Sequence, residues 1–218
     1  MSRKTEHLSD ELHAYILDHG ARPDQVQEAL IEETATLGGV AQMQIAPEQG
    51  AFMEMLARIL DTKFAVEVGT FTGYSAMSIA RGLAPGGRLL CCDVSEEWTD
   101  IARRYWKQAG VSDRIELRIG PAIDTLKALR TDPEIDLAFV DADKGGYIGY
   151  WEELVPRMRP GGVLLIDNVF AGGRVVDDTP GDETARDIKA FNAHAAEDPR
   201  VDLIMLPIAD GLTLARKL

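Results

Sequence analysis

The chain has 218 residues, 45% of them hydrophobic and 27% charged, an ordinary balance for a soluble domain long enough to bury a large core. Its 36 acidic residues outnumber 23 basic ones, and the resulting charge of -13 repels an extended phosphate backbone, so nucleic acid is disfavoured as a partner. No stretch approaches the roughly 18 apolar residues of a membrane span, and the start, Met1 to Leu8, lacks the apolar core of a secretory signal.

The first ~60 residues read as helices. Leu8, Leu12, Ile16 and Leu17 recur at helical spacing until Gly20 stops them. A second amphipathic stretch runs from Asp24 to Leu37, ended by Gly38-Gly39. Pro47-Glu48 opens a third, whose apolar residues are Phe52, Met55, Leu56 and Ile59. From Phe64 onward the pattern alternates. Strands are expected at 64–68, 88–92, 115–119, 135–140 and 162–166, with helices near 74–83, 96–109, 122–130 and 146–158. A helix over 183–196 precedes two further runs, 201–206 and 212–215, which read as a closing hairpin. The pattern predicts an α/β, doubly wound, parallel sheet in a single domain spanning 1–218, with a helical N-terminal cover (1–62) and a core (63–218). Cys91 and Cys92 are neighbours in a strand and point to opposite faces, so they form no mutual disulfide. A reduced, cytoplasmic protein is expected.

Ligands of such sheets bind beyond the carboxyl ends of the strands. Three groups stand there. Glu67-Val-Gly-Thr-Phe-Thr-Gly73 follows the first strand, and its small residues let a backbone approach a ligand and turn into a helix. The spacing differs from the G-x-G-x-x-G of dinucleotide binders, and Glu67 suits an ammonium better than a phosphate. That favours S-adenosyl-L-methionine as cofactor, a ligand-free glycine turn being the alternative. Asp93 ends the second strand, 24 residues after Gly69, where its carboxylate suits ribose hydroxyls or, equally, a helix N-cap.

Asp141, Asp167 and Asn168 end two strands expected to be neighbours. Their three oxygens suit a hard divalent cation, Mg2+ by default, with Mn2+ or Ca2+ as alternatives. Zinc is disfavoured without clustered Cys or His. Lys144, three residues after Asp141, is placed to deprotonate a hydroxyl that such a cation has acidified. The four histidines, His7, His13, His19 and His194, share no face and read as surface residues. Tyr147, Tyr150 and Trp151 are candidates for an aromatic pocket or for core packing.

Met43-Gln-Ile-Ala-Pro-Glu-Gln-Gly50, Glu67-Val-Gly-Thr-Phe-Thr-Gly-Tyr-Ser75, Asp141-Ala-Asp-Lys144, Asp167-Asn-Val169 and Asp210-Gly-Leu-Thr-Leu214 resemble, in this order, the cation-dependent class I O-methyltransferases of the caffeoyl-coenzyme-A and catechol type. The resemblance runs from about Gly39 to the C-terminus. It implies a Rossmann-like, seven-stranded sheet with an antiparallel final strand, and a homodimer. It also implies that Glu67, Gly69, Thr70 and Ser75 hold the methionine part of the cofactor, Asp93 the ribose and Ala122 the adenine end, and that Met43 borders the methyl-transfer region. Asp141, Asp167 and Asn168 would bind the metal, Lys144 would be the base, and Asp143 would touch cofactor or substrate. Three positions depart from the family pattern: Ala171 where Trp is usual, Gly146 where Asn is common, and Ala209 where Gly is usual. The first two are expected near the acceptor pocket.

The expected activity is therefore magnesium-dependent methylation of a small aromatic with adjacent hydroxyls, a catechol or caffeoyl derivative. A relative that methylates hydroxyuridine in transfer RNA is the nearest rival, opposed by the acidic balance. A nicotinamide dehydrogenase is opposed by the lack of a Tyr-x-x-x-Lys pair, and a scaffold that keeps cofactor without turnover is the third reading.

Overall fold

The computed structural model describes residues 8–20, 22–132, 134–177 and 181–218, so His7 lies outside the described residues. Seven strands form one sheet: β1 (Phe64–Val68), β2 (Arg88–Asp93), β3 (Ile115–Ile119), β4 (Ile135–Val140), β5 (Met158–Asp167), β6 (Val201–Leu206) and β7 (Leu212–Lys217). Their order is β3-β2-β1-β4-β5-β7-β6. The pairings among β1 to β5 are parallel, and β7 runs antiparallel to both β5 and β6, giving the expected hairpin and Rossmann-like sheet. The order reverses between β1 and β4. Their carboxyl ends therefore splay apart into a crevice, the place where such sheets take ligands.

The central strands read as continuous apolar runs because helices cover both faces. Alternate residues feed two cores. Ala65, Leu137 and Phe139 pack with α2 (Gln25–Ala35), α3 (Pro47–Ile59), α4 (Tyr74–Gly82) and α5 (Glu96–Gln108). Val66, Val68, Ala138 and Val140 pack with α6 (Ala122–Lys127), α7 (Tyr147–Leu154) and α8 (Glu183–Ala196). Burying a side chain such as Phe139 or Trp151 contributes roughly 1.5–3 kcal/mol each. Among the described residues, no helix is long and apolar enough to cross a membrane.

The N-terminal cover departs from the sequence reading in two ways. Helix α1 (Asp10–His19) is capped by Ser9 but buries none of its residues, leaving Leu12, Tyr15 and Ile16 exposed. Helix α3 turns a different face inward: Gln49, Gly50, Met53 and Ala57 are buried, whereas Met55 and Ile59 point outward at 58% and 72% exposure. Small residues decide this. A Cβ on Gly82 of α4 would lie 2.7 Å from the Cβ of Ala57, and one on Gly50 would lie 2.7 Å from the Tyr74 ring. The two helices thus approach through glycine and alanine, closer than large apolar side chains would permit. Elsewhere the boundaries shift only at ends: α6 stops at Lys127, α7 stops at Leu154 before Pro156, and β5 begins at Met158.

Candidate active site

The turn after β1 is built by backbone strain and backbone hydrogen bonds. Gly69 adopts φ +89, and any Cβ there would collide with the carbonyl oxygen of Asp141, so only glycine fits. The N–H of Gly69 donates to the carbonyl of Cys92 at 2.9 Å, and the N–H of Asp141 donates to that of Val68 at 2.8 Å. These bonds fasten the ends of β1, β2 and β4 together. Phe71 also lies in the left-handed region, at φ +50, a costly conformation for a bulky residue and one that clusters at binding sites. Gly73 precedes α4 without a side-chain cap, and the first turn of α4 borders the crevice.

Asp93 holds that turn in place. One carboxylate oxygen accepts from the N–H groups of Thr70 and Phe71 at 2.9 and 2.8 Å, and the other accepts from Ser95 N–H at 2.8 Å. The helix cap weighed for Asp93 falls to Ser95, which accepts from Trp98 N–H. Glu67 lies beneath the turn rather than on its open side. Its side chain is fully buried; Oε2 accepts from the Thr70 hydroxyl at 3.0 Å, and Oε1 finds no partner among the described residues. Burial is the main cause that lifts its pKa to about 7.

Beyond β4 and β5, four polar side chains converge. Lys144 Nζ donates to Asp141 Oδ1 at 2.9 Å, to Asn168 Oδ1 at 2.6 Å and to the Tyr147 hydroxyl at 2.7 Å. Tyr147, fully buried, donates its own hydroxyl hydrogen bond to the carbonyl of Asp167 at 3.1 Å. Asn168 sits at φ +56, a left-handed geometry that asparagine tolerates. Asp167 is almost wholly buried, and burial first, then the charge of Asp141, raises its pKa. Among the described residues no three His, Cys, Asp or Glu side chains form a metal cluster. The expected donor set is instead two carboxylates and one amide. Its chemistry fits a hard cation, because the Asp141 and Asn168 oxygens already share one positive nitrogen and Asp167 adds a desolvated carboxylate beside them.

Both groups open into one cavity of about 820 Å³, within the roughly 300–1,000 Å³ usual for small-ligand sites. Met43, Gly69, Thr70, Ser75, Asp93, Ala122, Asp141, Asp143, Lys144, Asp167 and Asn168 all line it; of the residues expected to hold cofactor or metal or to act as base, Glu67 alone does not. Of the three departures, Ala209 lines the cavity, whereas Ala171 and Gly146 do not. Gly146 lies under Tyr150, whose ring a Cβ there would meet at 2.6 Å. Tyr150 reaches the wall and donates to Asp143 Oδ1 at 2.6 Å, while Tyr147 and Trp151 belong to the core. The described histidines stay outside: His13 pairs with Glu48, His19 stacks on Tyr15 and His194 pairs with Glu152.

Sequence reasoning missed Gln49. Its Nε2 donates to Asp167 Oδ2 at 2.7 Å across 118 residues of sequence. The available signal was its place at i, i+4, i+8 with Met53 and Ala57, a glutamine in a buried stripe.

A family model described as O-methyltransferase matches residues 18–218. Probable caffeoyl-CoA O-methyltransferase 1 of Dictyostelium discoideum is 38% identical over 208 residues, covering 94% of this chain and 90% of its own. Among solved structures, the O-methyltransferase from Bacillus cereus in complex with SAH superposes with a TM-score of 0.87 at 32% identity, over 95% of this chain and 97% of that one. The O-methyltransferase TomG from Streptomyces achromogenes, in complex with SAM, gives a TM-score of 0.85 at 27% identity, over 95% and 96%.

Proposed function

The chain belongs to the O-methyltransferase family and is an S-adenosylmethionine-dependent enzyme; on that premise we propose that it methylates a hydroxyl of a small catechol-like or caffeoyl-type aromatic with the help of a divalent cation. The observation that carries this reading is the convergence of the Asp141 and Asn168 oxygens on one cationic nitrogen, at the edge of the cavity that Gly69 and Asp93 also line.

The residues divide by chemistry. The uncapped first turn of α4 offers N–H groups to a carboxylate, while buried Glu67 gives the ammonium end of an amino-acid cofactor a counter-charge. Asp93 keeps acceptor capacity for ribose beyond its three backbone bonds. Ala122 and the Tyr150–Asp143 pair border the adenine end, and Met43 borders the opening where the acceptor enters. Asp141, Asp167 and Asn168 would hold the cation, with Mg2+ the default for an all-oxygen set. A cation there would supply positive charge that acidifies a hydroxyl placed against it. Lys144 Nζ, oriented by Tyr147, would accept that proton only as the neutral amine, its own proton having left to solvent once the cation is bound beside it. S-adenosylmethionine would supply the methyl group, and the protein would contribute position and electrostatics. The working form is a homodimer in the cytoplasm, supported by exposed Tyr15, Met55 and Ile59 as apolar surface for a second copy and by the free thiols of Cys91 and Cys92.

Labelled methyl donor, magnesium and a panel of catechols, with and without chelator, test this. Methyl transfer that stops on chelation is expected; transfer that ignores the chelator would overturn the cation-assisted mechanism.

A further inference from the structure

We propose that Gln49 is a positioning residue for the cation site: from the N-terminal helical cover it fixes the Asp167 carboxylate and so sets the affinity for the divalent ion. The inference rests on the cation-dependent reading above. Gln49 is the third residue of α3, begun by Pro47, and its side chain is completely buried. A buried primary amide needs partners for two N–H bonds and one carbonyl oxygen. Here one N–H reaches Asp167 Oδ2 at 2.7 Å, and Oε1 has no partner among the described residues. A stripe that also contains Met53 and Ala57 would pack as well or better with an apolar residue at this position. Leaving a buried carbonyl unsatisfied is destabilising. Such a local penalty is expected where function, rather than stability, chooses the residue.

The geometry says what the amide gives in return. Asp167 receives a second short bond, from the N–H of Asn168 to Oδ1 at 2.7 Å. With one donor on each oxygen, the carboxylate plane cannot rotate, and one lone pair on each oxygen remains for the cavity. Asn168 is itself a ligand candidate, so its backbone bond moves with the site. Gln49 is the anchor from outside, carried by a helix whose close packing on α4 leaves it no freedom to retreat. Partners of this kind orient ligands, and their loss typically reduces metal affinity about 10–100-fold.

The test titrates Mn2+ into the full-length protein, followed by electron paramagnetic resonance, with S-adenosylhomocysteine affinity measured separately in chelator. Gln49→Met removes the donor at nearly constant shape, and Gln49→Asn keeps the amide but draws it back by one methylene. Both should weaken Mn2+ binding at least tenfold while S-adenosylhomocysteine binding stays within threefold. A folded variant that binds Mn2+ within twofold of the parent overturns the role of Gln49. A variant that loses both ligands equally also overturns it, since that marks a general structural part. A parent that binds no Mn2+ refutes the cation-dependent reading itself, a result distinguishable from either.

Discussion

Replacing Glu67 with glutamine should stabilise the cofactor-free protein, by more as the pH rises. The carboxyl is completely buried with one oxygen unpartnered, and burial outweighs the polar groups that favour the ionised form, the Thr70 hydroxyl among them, so its pKa climbs from 4.5 to about 7. Unfolding returns the group to its ordinary value. Between those two values the folded protein holds a proton that the unfolded chain has released. Stability therefore falls as pH rises through the window from 4.5 to about 7, and the loss is complete above it. At about 1.4 kcal/mol per tenfold change in proton affinity, the ionised carboxylate costs roughly 3 kcal/mol at pH 8. Glutamine cannot ionise and still accepts from Thr70. In a domain of this size roughly 3 kcal/mol corresponds to about 6–12 °C in Tm. Urea denaturation of parent and variant, without cofactor, from pH 4 to 8.5 reads the difference directly. The two should coincide near pH 4 and diverge by roughly 3 kcal/mol at pH 8; parallel profiles would refute the burial reasoning.

Gly69→Ala forces a side chain into a left-handed backbone and against the Asp141 carbonyl. It should cost at least about 2 kcal/mol in thermal denaturation and abolish S-adenosylhomocysteine binding, and a variant of parental stability would disprove the close approach. The homodimer reading predicts a light-scattering mass near twice the 23.9 kDa of one chain; a single-chain mass at micromolar concentration would refute it.

The sheet was legible because its strands are short apolar runs separated by helix-length segments, and all five parallel strands lie where the runs place them. The residues after β1, β2, β4 and β5 were legible for the same reason: a strand's end is where a polar residue meets the crevice. What hydrophobic spacing could not reveal was the inward face of α3. Met55 and Ile59 are larger and more apolar than Gly50 and Ala57, yet the inner position goes to residues small enough for two helices to touch. Gln49 was hidden by the same error. The exposed face of α1 shows the converse, because apolar spacing marks a helix without saying what, if anything, it packs against. The departures at Ala171 and Gly146 were placed near the acceptor by position in a motif. The structure buries Ala171 within the loop after β5 and sets Gly146 beneath Tyr150, so neither lines the cavity itself.

Where Gly69 meets Asp141, the turn after β1 and the end of β4 touch with no compressible atom between them. Neither can be tuned alone. A substitution that nudges β4 by a few tenths of an ångström displaces the turn after β1 by a similar amount. Redesign for the acceptors proposed above therefore has more latitude at Met43 and Ala209, which line the cavity but take no part in this contact.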